Sequence, residues 1–260
     1  MANDVKQFAT EAGHWYKPDG TPHYEVPRAD GKGMRDTTLR DARKLGLFFS
    51  TTGIIRLMDA PGLTRWKMRQ LALAILTLPR IEGESEDAFL ARAEKDAQEE
   101  GAAARDKGTA IHADVERHYR GQEALEYPAW ADAATKAIEG LCGVRKWLPE
   151  HAYAHPSGYG CKVDLVAEDG SWLLDIKTKD GDKSDLFDEH FMQLAANRRA
   201  ANIPGARCGI LFVDRNAPSA TLVEVSEADL QKGLEMFDCL LALHRAKNRY
   251  DPRGVSHAAS

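Results

Sequence analysis

The spacing of hydrophobic positions predicts a helical first half of the chain. From about residue 36 to residue 148, apolar positions recur with helical spacing in "TTLRDARKLGLFFS", "TTGIIRLMDA" and the proline-bracketed "PGLTRWKMRQLALAILTLP". The charged stretch "SEDAFLARAEKDAQEEGAAARDK" predicts a solvated helix, and a separate helix is predicted to restart at Gly108 and Thr109. A further helix, "AWADAATKAIEGLCGVRKWLPE", is predicted to end near Pro149. Before residue 36, "PDG" predicts the turn of a small hairpin.

After Pro149 the spacing changes from helical to alternating. The stretches "HAYAH", "CKVDLVAE" and "SWLLDIKTK" predict three consecutive strands, with "EDGS" as the turn between the last two. A helix ("DLFDEHFMQLAANRRAANIPG"), two strands ("ARCGILFVD" and "SATLVEVS") and a closing helix ("EADLQKGLEMFDCLLALHRAKNRY") follow. This order predicts an α/β fold, a mixed central β-sheet with flanking helices and a long helical N-terminal half.

The same pattern suggests a division of the chain. We expect residues 1–105 to form an N-terminal hairpin and helical region packed on a core of residues 106–250. Residues 251–260 are expected to be a disordered tail.

Composition is that of an ordinary globular protein. The 260 residues are 43% hydrophobic and carry a formal net charge of −5, which does not indicate nucleic-acid binding but leaves room for a local basic groove. No apolar run approaches the length that spans a bilayer, and the first residues lack the pattern of a secretory signal. We therefore expect a cytoplasmic protein without membrane contact.

Cysteine spacing argues against a zinc or iron–sulfur site. The four cysteines stand at positions 142, 161, 208 and 239, and no CxxC pair is present. We expect reduced and mostly buried thiols.

The candidate chemistry lies in "LLDIKTKD", residues 173–180. Alternation along a strand places Asp175 and Lys177 on one face and Ile176 on the other, and a surface ion pair on an edge strand is the simple alternative. Asp164 precedes Asp175 by eleven residues, so the "EDGS" turn can bring the two carboxylates together. Paired carboxylates repel unless a cation such as Mg²⁺ or Mn²⁺ neutralises them. Lys177 could then orient or deprotonate the attacking water and offset charge on a phosphate.

This D-x(n)-D-x-K arrangement resembles the PD-(D/E)XK nuclease superfamily, with Asp in the second acidic place. The stretch "GTAIHADVERHYRG" places His112 and Glu116 on one helical face, as "GT-x-x-H…E" does in RecB-like nucleases. The resemblance implies that His112, Asp164, Asp175 and the backbone carbonyl of Ile176 hold the metal. Glu116 is a further ligand, a water-mediated partner or a solvated helix residue.

A second element of the resemblance is "MQLAANRRA", where RecB-like enzymes carry Q-x-x-x-Y. Gln193 matches and implies a residue that fixes the lysine or contacts the substrate backbone, whereas Asn197 replaces the tyrosine. Arg198 and Arg199 would add positive charge for DNA. In the simpler interpretation, Gln193, Arg198 and Arg199 are solvated helix residues.

The helical lead-in "TTGIIRLMDAPGLTRWKMRQLALA" also resembles that of phage and mitochondrial RecB-like exonucleases. Lys67 and its basic neighbours could bind a DNA strand on which Trp66 stacks. The alternative is that Trp66 belongs to the core and the basic residues are solvated.

The resemblance covers roughly residues 105–215 and implies the sheet of a PD-(D/E)XK nuclease core. It implies a stand-alone Mg²⁺- or Mn²⁺-dependent DNA exonuclease of the phage or mitochondrial-genome-maintenance type, without an iron–sulfur cluster or a fused Walker A motor. Its setting would be recombination, replication or repair in a phage or bacterium, with a single-strand-annealing or single-strand-binding protein as a partner. An endonuclease (restriction or junction-resolving) and a catalytically silent DNA-binding fold are the alternatives.

Overall fold

The computed structural model describes residues 13–59, 61–181 and 184–254. The strands are β1 (Trp15–Tyr16), β2 (Glu25–Pro27), β3 (Met34–Asp36), β4 (Phe48–Ser50), β5 (Trp147–His155), β6 (Tyr159–Ala167), β7 (Trp172–Lys179), β8 (Arg207–Asp214) and β9 (Ala220–Val225). The helices are α1 (Leu39–Leu45), α2 (Thr51–Ile55), α3 (Pro61–Thr77), α4 (Glu86–Tyr119), α5 (Pro128–Cys142), α6 (Asp188–Ala200) and α7 (Glu227–Asn248), and a 3₁₀ helix spans Pro252–Gly254.

Seven strands form one mixed sheet. Strand β6 pairs antiparallel with β5 on one side; on the other it pairs antiparallel with β7 and parallel with β4. Strands β7 and β8 are parallel, and β9 is antiparallel to β8. Strand β1 continues the sheet beyond β4, while β2 and β3 form a separate antiparallel pair.

Helices cover both faces of this sheet. On one face, Met192 of α6 and Phe237 of α7 are buried with Leu173 of β7. On the other face, Ile111 of α4 and Ile138 of α5 are buried against β7 and β8. Because apolar side chains on each face are removed from water by a helical layer, the sheet is the centre of the core. The predicted α/β class, a mixed sheet with flanking helices, is confirmed.

Helix α4 is continuous where a restart was predicted. It has 34 residues and runs through Gly108 without a break. A Cβ atom at Gly108 would lie 2.4 Å from Thr178 Oγ1, so the glycine permits close contact between α4 and β7 rather than ending a helix. The predicted boundary between residues 105 and 106 therefore falls inside one helix, and the division of the chain stays a prediction.

Two stretches predicted as helical ends form strands. Helix α1 ends at Gly46, whose φ is 65°, and the aromatic pair that follows becomes β4. Helix α5 ends before Gly143, whose φ is 71°, and β5 has begun by Trp147, so the predicted helix end near Pro149 is wrong.

The chain ends are described in part. The predicted N-terminal hairpin is present as a bridge between Tyr16 and Pro22 around the "PDG" turn. At the other end, Pro252–Gly254 form a 3₁₀ helix, and the rest of the tail, residues 255–260, lies outside the described residues.

Helix α3 packs along α4 and leaves much of its surface in water. Trp66 is 44% exposed, so the interpretation of Trp66 as a core residue is wrong. Lys67 is exposed on the same helix. Cys142, Cys161 and Cys208 are buried free thiols, as expected, whereas Cys239 is exposed. Within the described ranges, no helix is both long and apolar enough to cross a membrane.

Candidate active site

The candidate site lies where strands β6 and β7 separate. Their backbones pair at Leu165 with Leu174 and at Val166 with Leu173. One step further, the carboxylate Oδ2 of Asp164 accepts the backbone N–H of Ile176 at 2.7 Å. The side chain thus replaces a main-chain acceptor, which fixes Asp164 at the point of separation.

Asp175, Lys177 and Gln193 form a hydrogen-bonded set beside it. Asp175 Oδ1 accepts from Gln193 Nε2 at 2.5 Å, and Gln193 Oε1 accepts from Lys177 Nζ at 3.1 Å. Lys177 Nζ lies 2.8 Å from Asp175 Oδ2. Ile176 is buried in the core on the α4–α5 face, so the predicted alternation is confirmed. Because Asp175 is 2% exposed, the simple alternative of a surface ion pair is wrong.

His112 reaches Asp164 from helix α4. Its Nε2 lies 3.2 Å from Asp164 Oδ2, and a quarter of the side chain is exposed. One helical turn earlier, Gly108 lies against Thr178 of β7. Since residues four apart share a helical face, this close approach positions the histidine over the carboxylate.

Glu150 lies beside His112 and Asp164, and the sequence pattern did not identify it as a site residue. Within the described part of the chain, one ligand atom each from His112, Glu150 and Asp164 lie within 4.8 Å of one another. Pro149 pairs with Leu165 and His151 with Val163, so Glu150 stands opposite Asp164. The alternation of "WLPEHAYAH" could have indicated a strand through this glutamate, but the helical pattern was extended over it.

Burial and neighbouring charges shift the pKa values of Asp164 and Asp175 in opposite directions. Burial raises the pKa of Asp175 to about 6. The positive charge of Lys177 lowers this pKa, and the negative charge of Asp164 raises it further. Burial also raises the pKa of Asp164, but the His112 hydrogen bond, the charge of Lys177 and the Ile176 N–H outweigh it. The pKa of Asp164 is therefore lowered.

His112 and Lys177 are both stabilised in their charged forms. Burial lowers the pKa of His112, but the hydrogen bond and charge of Asp164, with the charge of Asp175, raise it above the ordinary value. For Lys177, burial is likewise outweighed by Asp175 and Asp164, and the pKa is raised. Without a metal, these cations balance the buried carboxylates.

The donor set fits a divalent metal ion. Asp164 and Asp175 offer two neighbouring carboxylates, and the one cation that contacts Asp175 Oδ2 among the described residues is the Lys177 ammonium at 2.8 Å. Carboxylate oxygens suit Mg²⁺ and Mn²⁺, and His112 Nε2 adds a nitrogen donor 3.2 Å from Asp164 Oδ2. The backbone carbonyl of Ile176 as a further ligand stays a prediction. The mixed sheet brings Asp164, Asp175 and Lys177 together, as the sequence predicted.

Glu116 lies one turn beyond His112 but is bound elsewhere. Its carboxylate forms an ion pair with Arg120 on the same helix. It contributes charge that raises the pKa of His112, although the group that can hold a metal contains Glu150 in its place.

Arg198 and Arg199 are both paired with acidic side chains of α7. Arg198 donates two hydrogen bonds to Glu227, at 2.6 and 2.7 Å, and Arg199 donates two to Asp238, at 2.7 and 2.9 Å. Such bidentate pairs occupy the guanidinium groups and fasten α6 to α7. A contact of these arginines with DNA stays a prediction, and it would have to compete with these ion pairs.

Asn197 is 1% exposed, and its Oδ1 has no hydrogen-bond partner among the described residues. It is a core position of α6, which explains why a short side chain is accommodated there. A contact between Lys67 and DNA stays a prediction.

No protein-family model and no curated protein matches the chain. A protein from Eubacterium rectale, provisionally described as an exonuclease, is similar at 14% identity, over 55% of this chain and 68% of that one, with a TM-score of 0.42. An alkaline exonuclease from Laribacter hongkongensis is similar at 17% identity, over 80% of this chain and 92% of that one, with a TM-score of 0.39.

Proposed function

We propose that this chain is a Mg²⁺- or Mn²⁺-dependent exonuclease that hydrolyses phosphodiester bonds from the ends of linear DNA. The observation that carries the proposal is the set of Asp175, Lys177 and Gln193, held together at 2.5 to 3.1 Å beside Asp164 and His112. A buried carboxylate pair with a lysine suits phosphate chemistry, because it offers both a place for a cation and a positive donor.

His112, Asp164, Asp175 and the Ile176 carbonyl would hold the metal ion. A divalent cation supplies there a water of lowered pKa and a counter-charge for the phosphate. Lys177, charged in the metal-free protein, donates to the attacking water or to a phosphate oxygen. If Lys177 is instead the base, it has to lose that proton first, which neutralisation of the carboxylates would favour.

Gln193 prepares the site by holding both charged groups. Its amide oxygen orients the Lys177 ammonium and its amide nitrogen orients the Asp175 carboxylate. Groups fixed in this way need little reorganisation when charge develops on the phosphate. The role is one of positioning, and a contact of Gln193 with the DNA backbone is a further part of the proposal.

Exonuclease activity is preferred to endonuclease activity because His112 and Gln193 match the elements that mark RecB-like exonucleases. A catalytically silent DNA-binding fold is disfavoured by the intact carboxylate pair, which is costly to keep buried without a role. DNA as substrate, a setting in phage or bacterial recombination, replication or repair, and a single-strand-annealing or single-strand-binding partner complete the proposal.

The test is cleavage by the purified full chain of linear DNA labelled at the 5′ or 3′ end, single- or double-stranded, beside a closed circle. We expect linear DNA to be degraded with Mg²⁺ or Mn²⁺ and spared with Ca²⁺, whose looser shell places water poorly. Lys177→Met should be inactive, and the matched surface variant Lys232→Met should cleave as the parent does. Degradation in excess EDTA would contradict the metal mechanism, and opening of the circle at a comparable rate would favour an endonuclease.

A further inference from the structure

Glu150 faces Asp164 across the β5–β6 ladder, in a backbone conformation that is unusual for a strand. Its φ is 52°, in the left-handed region. The other two such residues in the described ranges, Asn202 and Arg249, follow the ends of helices, where this conformation is common. Glu150 instead lies inside β5, and the regular pairing on either side of it resumes at once.

The spacing of the surrounding ligand atoms suits one metal ion. One atom each from Glu150, His112 and Asp164 lie within 4.8 Å of one another. An octahedral ion with bonds of about 2.1 Å holds neighbouring ligand atoms about 3.0 Å apart and opposite ones about 4.2 Å apart. Small side-chain movements would therefore close the three groups on an ion.

A third carboxylate lies at this place. Asp175 is buried, its Oδ2 lies 2.8 Å from the Lys177 ammonium, and its charge acts on the same His112. Glu150, Asp164 and Asp175 together place three carboxylates near one histidine. The ion pair recorded for Glu150 is with Lys162, whose side chain is 39% exposed.

We propose that Glu150 is a protein ligand of the metal centre, binding the divalent cation together with His112 and Asp164. Lys162 pairs with Glu150 when the cation is absent and is displaced when it binds. This inference rests on the proposed metal-dependent function. It gives Glu150 the role that the sequence suggested for Glu116, which is paired with Arg120.

The test is the affinity of the full chain for Mn²⁺ without DNA, measured by calorimetry and by electron paramagnetic resonance of the free ion. We expect Glu150→Gln to bind at least about tenfold more weakly, since even an outer-shell partner of a metal contributes that much. Glu168→Gln, an exposed glutamate just beyond β6, is the matched control and should bind as the parent does. Lys162→Gln should bind Mn²⁺ about two- to fivefold more tightly, because the partly exposed Lys162 no longer competes with the ion for Glu150.

Two further variants make the outcome decisive. Glu150→Gly suits the positive φ and removes the carboxylate, so it should fold and bind as weakly as Glu150→Gln. Asp164→Asn should lose Mn²⁺ binding if the proposed centre exists. Full affinity in both Glu150 variants, with binding lost in Asp164→Asn, would overturn the role of Glu150 alone. Full affinity in Asp164→Asn would overturn the metal centre itself, and the inference with it.

Discussion

Gln193 joins the two charged groups of the candidate site, because its Oε1 accepts from Lys177 Nζ at 3.1 Å while its Nε2 donates to Asp175. A glutamine can do this because one end of its amide accepts and the other donates. Neither a glutamate nor an alanine provides both. The orientation of the lysine thus depends on a residue of α6, outside the sheet that carries Asp164 and Asp175.

Gln193→Ala should lower the cleavage rate by roughly ten- to a hundredfold, the loss of one or two well-placed hydrogen bonds of about 1 to 3 kcal/mol. Asn197→Ala should change the rate much less, because Asn197 is buried in α6 and its Oδ1 accepts no hydrogen bond from the described residues. Rates of both variants on one linear substrate provide the measurement, with Gln231→Ala on α7 as a surface control. A larger defect at Asn197 than at Gln193 would show that the helix is misaligned with the family pattern.

Lys177→Met should lower cleavage by at least about a hundredfold, as expected when a preorganised electrostatic donor is removed. Its affinity for Mn²⁺ should stay the same or rise, because the ammonium 2.8 Å from Asp175 Oδ2 no longer opposes the cation. Cleavage and calorimetric Mn²⁺ binding are measured on one preparation. Loss of both properties together would mean that Lys177 supports the structure of the site instead of the reaction.

Local patterns predicted strand β7 and the residues of the candidate site on it well. Alternation was sufficient for Asp175 and Lys177, and a short hairpin turn was sufficient to place Asp164 near them. Long-range contacts could not be predicted in this way. Arg198 and Arg199 resemble a basic patch in sequence, but their acceptors stand 29 and 39 residues further along the chain.

Glu150 was missed for a related reason. Its role depends on the β5–β6 register and on a left-handed backbone within a strand, neither of which a hydrophobic pattern encodes. The continuous α4 was also missed, because glycine at position 108 reads as a break in sequence, whereas the structure uses it for close packing.

Binding of Mn²⁺ should weaken as the pH falls towards 6 and should release protons there. The pKa of Asp175 is raised to about 6 and that of His112 is raised as well, so both hold protons that a metal ligand has to lose. Calorimetry in buffers of different ionisation enthalpy should give about one proton or more released per ion at pH 6, and fewer at pH 8, where Asp175 is already ionised. His112→Asn should reduce the release, whereas the exposed control His118→Asn should not. Release that is constant over this range would contradict the protonation of these ligands.

The contact between Gly108 and Thr178 predicts that Gly108→Ala lowers the stability of the parent but not that of a Thr178→Ala variant. A Cβ atom at Gly108 would lie 2.4 Å from Thr178 Oγ1, so Gly108→Ala should destabilise the parent by overpacking, about 1 to 3 kcal/mol. Alanine also gains about 1 kcal/mol over glycine in a helix, which the overpacking outweighs. In a Thr178→Ala background the oxygen is absent, and Gly108→Ala should then be neutral or stabilising.

The measurement is the free energy of unfolding of the two single variants and the double variant in denaturant, combined as a double-mutant cycle. Gly140→Ala in α5 is the control, since nothing lies within 4 Å of the added Cβ and only the helix gain of up to about 1 kcal/mol should appear. Because α4 also carries His112, Gly108→Ala should weaken Mn²⁺ binding and the double variant should recover it. If Gly108→Ala costs the same free energy in both backgrounds, this contact does not determine how closely α4 approaches β7.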